Sequence, residues 1–155
     1  MSNLLLSKKM NWEIKAFAEL SSIQLYDILK LRNEVFIVEQ NCPYQDIDGK
    51  DLKALHLMGS EAGQLAAYCR LLPAGVSYPE ASIGRVISSP RYRAKGLGQA
   101  LMHHAIEAME AQFGKAPIHI GAQYYLKRFY ESFGFIQTSD IYLEDGIEHI
   151  EMLRQ

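Results

Sequence analysis

The chain has 155 residues, of which 48% are apolar and 22% are charged, and its formal net charge is −2. These values are typical of one globular domain, and they exclude a strongly basic protein, so no global positive field indicates nucleic acid or a membrane surface as a partner. Cys42 and Cys69 have neither CxxC nor zinc-ligand spacing, which favours a reduced cytoplasmic protein without a metal site.

The first nine residues are predicted to be a dispensable extension. The segment "MNWEIKAF" begins with Met10 and resembles an alternative translation start. A single domain is therefore predicted over 10–155. The apolar run Leu4-Leu5-Leu6 is too short for the core of a signal peptide, and no stretch approaches the ~20 apolar residues of a membrane-spanning helix. We therefore expect a cytoplasmic location.

Strand-like runs alternate with segments of helical apolar spacing, and no linker or repeat interrupts them. In chain order, the sequence predicts a strand over 11–17, a helix from Ser21 or Ser22 towards Glu39, a polar loop over 41–51, strands over 54–60, 64–72 and 81–88, a helix over 97–113, a strand over 117–122, a helix over 123–134 and a hairpin around Asp145-Gly146. This order, β-α-β-β-β-α-β-α-β-β, predicts an α/β fold with a mixed sheet and helices on its faces.

An arginine and a set of acids mark the first helix and the loop after it. Arg32 lies in the apolar stripe of the helix, and a buried arginine needs carboxylate partners, for which Glu39 and Asp48 are predicted. Five acids lie between Glu34 and Asp51. They indicate either an ordinary solvated loop or a negative rim that attracts a cationic amine.

Bases and glycines precede the helix predicted at 97–113. The pattern Arg93-x-x-Gly96-x-Gly98 follows a strand and opens a helix, so exposed backbone N–H groups and the positive helix end favour an anion there. A P-loop is excluded because Lys95 precedes both glycines, and a Rossmann fingerprint is excluded because Leu101 takes the place of its third glycine. The remaining alternative is a glycine-bearing turn with surface bases.

The pattern resembles the motif with which the GNAT superfamily of N-acetyltransferases seats the pyrophosphate of coenzyme A. The segment "FYESFGF", residues 129–135, resembles the second motif of that superfamily. "LRNEVFIVEQNCPYQDIDGKD", "IGRV" and "DGIEHIEM" resemble its ElaA-type branch, and the likeness spans 10–154. The resemblance implies the GNAT fold, with a mostly antiparallel central sheet, one parallel strand pair that splays apart, and helices on both faces.

The resemblance also implies a co-substrate and its contacts. Acetyl-CoA is the expected acyl donor, and a small-molecule or peptide amine is the expected acceptor. No metal, nucleic acid or membrane is expected as a partner. If the chain forms an oligomer, we expect a homodimer. The implied coenzyme-binding residues are Val86, Ile87, Ser88, Arg93, Ala94, Lys95, Gly96, Leu97, Gly98, Gln99 and Gln123. At Gln123 many relatives have asparagine, which puts one coenzyme contact in doubt.

The catalytic residues follow partly from the resemblance. Tyr130 matches the general acid that protonates the leaving thiolate, with a core-packing tyrosine as the alternative. His149 and Glu39 are the first candidates for the general base, and Glu34, His56 and His119 are further candidates. For His149 the alternative is a hydrogen-bonded histidine with a structural role. Two other functions stay open: an acyltransferase of the acyl-homoserine-lactone-synthase type, and an acyl-CoA-binding module without catalysis.

Overall fold

The computed structural model describes residues 10–93 and 96–155. The strands are β1 Met10–Ala16, β2 Leu55–Glu61, β3 Gln64–Leu72, β4 Ala81–Ser88, β5 Ile118–Gln123, β6 Ile136–Gln137, β7 Tyr142–Glu144 and β8 Ile147–Arg154, and the α-helices are α1 Ser22–Arg32, α2 Leu97–Phe113 and α3 Lys127–Glu131. The prediction that residues 1–9 are dispensable lies outside the described residues.

Two elements differ from their predicted extents. The helix predicted to run from Ser21 or Ser22 towards Glu39 is α1 followed by a π-helical stretch, Asn33–Glu39. The helix predicted over 123–134 is shorter, because β5 continues through Gln123 and a 3-10 turn, Tyr124–Leu126, precedes α3.

The strands form one mixed sheet in the order β1-β2-β3-β4-β5-β8-β6, and β7 also pairs with β8. Neighbouring strands are antiparallel except β4 and β5, which are parallel. That parallel pair is joined only at Ala81–Ile118 and Ser82–His119, and beyond these residues the two strands diverge. The predicted parallel pair that splays apart is therefore confirmed.

Helices cover both faces of the sheet, as predicted. Leu57 in β2 packs in the core beneath α2 and α3, where Leu101 and Met102 are fully buried. The next residue, Met58, packs on the opposite face against Ile28 of α1. This alternation follows from the two-residue period of a strand, and it produces a separate hydrophobic core on each side of the sheet.

A bulge interrupts β4 at the point where β5 diverges. Arg85 has the left-handed backbone conformation, with φ 51°, and the register of β3 against β4 shifts beside it. Ile83 therefore packs in the core beneath α2, whereas Ile87, four residues later, packs in the core beneath α1. One extra residue reverses the side-chain alternation, so the bulge re-aims the second half of β4.

Candidate functional site

A cavity of about 660 Å³ lies where β4 and β5 diverge. The sequence-predicted site residues that line it are Val86, Ile87, Ser88, Arg93, Gly98, Gln123, Tyr130, Glu39 and His149. Gly96, Leu97 and Gln99 lie on the adjoining helix start and do not line the cavity, and Ala94 and Lys95 lie outside the described residues. One opening in the sheet thus brings together residues that are up to 110 positions apart in the sequence.

The cavity borders the N-terminal end of α2, a helix of 17 residues. Gly96 caps this helix with φ 75°, a left-handed conformation that glycine adopts without strain, and its carbonyl accepts the Ala100 N–H at 3.2 Å. A Cβ at Gly98 would lie 3.6 Å from the ring of Phe129, which is ordinary contact. The first turn therefore presents N–H groups to the cavity mouth with little side-chain cover, which fits the pyrophosphate of a nucleotide.

Tyr130 projects from α3 into the cavity wall and is only 6% exposed. The rings of Phe129 and Phe135 meet it edge-on, with centroids 5.1 Å and 6.1 Å away, and hold its orientation. Burial raises the pKa of Tyr130 well above its usual value. The phenol is therefore protonated at neutral pH, and it can act as a proton donor but not as a base.

His149 lies on β8, directly opposite Gln123 of β5. Its Nδ1 is 2.8 Å from the carbonyl oxygen of Ile147, and because a carbonyl only accepts, Nδ1 carries the hydrogen. The tautomer assigned in this way leaves the lone pair on Nε2, which lies 3.5 Å from the carboxylate of Glu144. His149 thus has the arrangement of a general base. The hydrogen bond from Nδ1 fixes the orientation of the ring, and the carboxylate of Glu144 lies beside Nε2, the nitrogen that would accept a proton.

Glu39 is paired with the loop that precedes α2. Its Oε2 accepts a hydrogen bond from Nη1 of Arg93 at 2.7 Å, and both side chains are about two-fifths exposed, at 42% and 40%. The two predicted site residues therefore meet each other across the cavity mouth. Glu39 is thus held at the mouth of the cavity by Arg93.

Two other histidines weighed as bases have structural partners. His56 is buried between the hydroxyl of Tyr68, 2.7 Å away, and the carbonyl of Asp51, and burial lowers its pKa, so it is neutral. His119 is held between the carboxylates of Glu80 at 2.8 Å and Glu151 at 2.7 Å. Neither histidine lines the cavity.

Arg32 is buried with an exposed fraction of 0%, as its place in the apolar stripe predicts. Its partners are Asp46, at 2.9 Å from Nε, and Asp51, at 2.7 Å from Nη1. The predicted partners Glu39 and Asp48 are therefore wrong. The predicted ion-paired connection between the helix and the loop is nevertheless present, because both aspartates belong to that loop.

Arginines pair with four of the five acids between Glu34 and Asp51, which argues against the negative-rim alternative: Glu39, as described above, and Asp46, Asp48 and Asp51. Arg70 binds both carboxylate oxygens of Asp48, at 2.8 Å and 3.0 Å, and Arg85 binds Asp46 at 2.7 Å. Burial by itself would raise the pKa of Asp48, but the hydrogen bonds and charge of Arg70 outweigh it and lower that pKa to about 2. Three arginines thus neutralise three aspartates, and we call these six residues the Arg–Asp cluster: Arg32, Arg70, Arg85, Asp46, Asp48 and Asp51.

The described residues hold neither a metal-binding cluster nor a membrane-spanning helix. Within residues 10–93 and 96–155, no group of three or more His, Cys, Asp or Glu side chains is arranged to hold a metal ion. In the same part of the chain, every helix is too short or too polar to cross a membrane.

The family profile described as "Acetyltransferase (GNAT) domain" matches residues 23–155. The chain belongs to the GNAT family. It is 45% identical to Protein ElaA of Escherichia coli K12 over 146 residues, which are 93% of this chain and 95% of that protein. The GNAT chain therefore resembles the ElaA-type branch over nearly its whole length.

Solved structures agree with this assignment. An acyl-CoA N-acyltransferase from Pseudomonas aeruginosa superimposes with a TM-score of 0.90 at 44% identity, covering 94% of this chain and 99% of that one. Escherichia coli ElaA superimposes with a TM-score of 0.89 at 44% identity over the same shares. The protein is thus a GNAT acyltransferase domain, and enzymes of this family use acyl-CoA co-substrates.

Proposed function

We propose that the protein is a cytoplasmic N-acetyltransferase that transfers the acetyl group of acetyl-CoA to a primary amine. The observation that carries this proposal is that Tyr130 and His149 line one cavity from opposite faces of the sheet. Tyr130 packs with the core beneath α2 and α3, whereas Ile150, next to His149, points into that core and so turns His149 to the other face. An acid and a base are thereby placed on two sides of one gap.

The donor is held by the N-terminal end of α2 and by the gap in the sheet. Arg93, Gly96 and Gly98 surround the position of the pyrophosphate. The pantetheine arm extends along Val86–Ser88, where β4 has no ladder contact with β5. A backbone N–H of β4 that is free in this way can bind the thioester oxygen as negative charge develops on it.

Two side chains move protons in the reaction. The acceptor ammonium gives one proton to Nε2 of His149, and Glu144 stabilises the imidazolium. The amine nitrogen then bonds to the thioester carbon while the carbon–sulfur bond breaks, and Tyr130 donates its proton to the leaving sulfur. The second proton of the attacking nitrogen restores the phenol, so one proton in total is released to solvent through His149.

Thiol release from acetyl-CoA over a panel of amines tests the proposal. We expect Tyr130→Phe to lower kcat by about tenfold or more and to leave the Kd for acetyl-CoA unchanged, because the ring still packs and only the proton is lost. Tyr125→Phe is the matched control, since Tyr125 also lines the cavity but is exposed. We expect His149→Gln to lower kcat as well, because the proposed proton acceptor is removed.

Three outcomes contradict the proposal. An unchanged kcat in Tyr130→Phe indicates that Tyr130 packs in the core and is not the general acid. A rise of Tm with acetyl-CoA but no thiol release with any amine indicates an acyl-CoA-binding module. Transfer from acyl-carrier protein but not from acetyl-CoA indicates an enzyme of the acyl-homoserine-lactone-synthase type.

A further inference from the structure

Lys50 is a cation without a counter-charge in the cavity wall. Its Nζ donates a hydrogen bond to Oγ of Ser77 at 2.9 Å, and among the described residues no carboxylate lies within 4.0 Å of it. Since an ammonium group has three N–H donors and this one uses a single donor on a neutral partner, Lys50 retains both charge and hydrogen-bonding capacity. The cavity wall therefore has a place for an anion at Lys50.

Arg85 supplies a second donor in the same wall. Its Nε and Nη2 bind Asp46 and Asp48, but Nη1 has no hydrogen-bond partner in the described part of the chain. The bulge in β4 directs this side chain, because Arg85 has the left-handed conformation that a non-glycine residue adopts only at a cost. Arg85 lines the cavity and is followed in β4 by Val86, where the proposed pantetheine contact begins.

One aspartate contacts both Lys50 and Arg85. Oδ1 of Asp48 accepts the backbone N–H of Lys50 at 3.0 Å, and Oδ2 accepts Nη2 of Arg85 at 3.4 Å. Within the Arg–Asp cluster the three arginines already balance the three aspartates. The charge of Lys50 is therefore in excess, and the Arg–Asp cluster together with Lys50 has a net positive charge.

Two acids also line the cavity. Glu144 and Asp145 lie at the turn between β7 and β8, and within the described chain the only ion-pair contact of either is that of Glu144 with His149. The side chain of Glu144 is 60% exposed. A positive group is thus favoured beside His149, and a negative group is favoured beside Lys50.

We infer that the acceptor is an amino-acid-type zwitterion, whose amine lies at His149 and whose carboxylate binds Lys50 and Nη1 of Arg85. The inference rests on the proposed N-acetyltransferase function and names the substrate class of that site. It replaces the expectation of a cationic amine attracted by a negative rim, because arginines neutralise most of the five acids on which that expectation depended.

Matched acceptors test the inference with the full chain. For each of several side chains, the amino acid, its amide and the amine without the carboxyl group are compared in the thiol-release assay. We expect kcat/KM to be at least about tenfold higher for the amino acid, as charged hydrogen bonds at a partly buried site are worth that factor. Equal or faster reaction of the amide and the amine overturns the inference and leaves the N-acetyltransferase proposal standing.

Variants of Lys50 separate charge recognition from folding. We expect Lys50→Met to raise KM for amino acids about tenfold and to affect the rates for amides much less, and Lys50→Arg to recover part of the loss. Lys53→Met is the control, since Lys53 is exposed in the same loop and does not line the cavity. A loss that is equal for amino acids and amides overturns the inference.

A binding measurement covers the case in which no acceptor reacts. N-acetyl amino acids and the corresponding N-acetyl amines are compared as products by their effect on Tm in the presence of coenzyme A. Stabilisation only by the carboxylates, lost in Lys50→Met, supports the zwitterion site even if the proposed reaction fails. No difference between the two product classes overturns it.

Discussion

Oε2 of Glu39 lies 2.7 Å from Nη1 of Arg93, and this ion pair joins the end of the first helical segment to the loop before α2. Arg93 is the first residue of the motif that the GNAT resemblance assigns to the pyrophosphate. A guanidinium that turns to a phosphate must leave Glu39, so the carboxylate competes with the donor for Arg93.

We expect Glu39→Gln to strengthen coenzyme A binding by up to about fivefold, because an exposed ion pair of this kind is worth about 0–1 kcal/mol. Isothermal titration at low salt measures the effect. Glu34→Gln is the control, since Glu34 is an exposed acid of the same segment. A lower kcat with unchanged affinity instead assigns Glu39 a catalytic role.

Substitutions at Gly98 test the anion site at α2. Gly98→Ala is expected to fold and bind coenzyme A, because its Cβ meets only Phe129 at an ordinary 3.6 Å. Gly98→Asp is expected to fold as well, since an acid suits a helix N-terminus, but its charge repels the phosphates. In a thermal-shift assay with millimolar coenzyme A, the Tm is expected to rise for wild type and Gly98→Ala and not for Gly98→Asp. An equal shift in all three places the pyrophosphate elsewhere.

Removal of Arg32 is expected to be severely destabilising. Arg32→Met leaves Asp46 and Asp51 without their fully buried partner, and breaking a buried ion pair from one side costs about 3–5 kcal/mol. Urea unfolding measures the loss, and Arg93→Met, at an exposed ion pair, is expected to change the free energy of unfolding by less than about 1 kcal/mol. Similar losses in the two variants contradict a structural role of the Arg–Asp cluster.

The Arg–Asp cluster also predicts acid sensitivity. Hydrogen bonds from Arg70 and Arg32 lower the pKa of Asp48 and Asp51 in the folded protein, to about 2 for Asp48. Their stabilising contribution is therefore complete above the ordinary pKa of 3.8 and is lost as the pH falls towards 2. We expect the free energy of unfolding in urea to fall between pH 4 and pH 2, and to fall less in Asp48→Asn. A free energy that stays constant to pH 2 argues against the prediction.

Local patterns were sufficient to predict most of the fold. Asp145 and Gly146 have φ values of 52° and 79°, the pair of left-handed residues that a two-residue hairpin needs and that an Asp-Gly sequence indicates. The glycines at 96 and 98 likewise marked the start of α2. Such features depend on a few neighbouring residues, and so they can be read from the sequence.

Features that depend on tertiary structure could not be predicted in this way. The bulge at Arg85 lies in "ASIGRVIS", which reads as a regular strand, and only the register against β3 reveals it. The partners of Arg32 could not be chosen among several nearby acids, because the choice depends on the path of the loop over 40–54. For the same reason, the hydrogen bonds of His119 to Glu80 and Glu151 could not be predicted, because these residues come from distant parts of the chain.

The short contact between β4 and β5 has a consequence for how this protein avoids unwanted association. Strand edges that lack a neighbour usually lie at the rim of a sheet, where they invite pairing with foreign chains. Here two such edges face each other in the interior, beyond Ser82 and His119. These unpaired edges thus lie inside the sheet and not at its rim, where pairing with another chain usually begins.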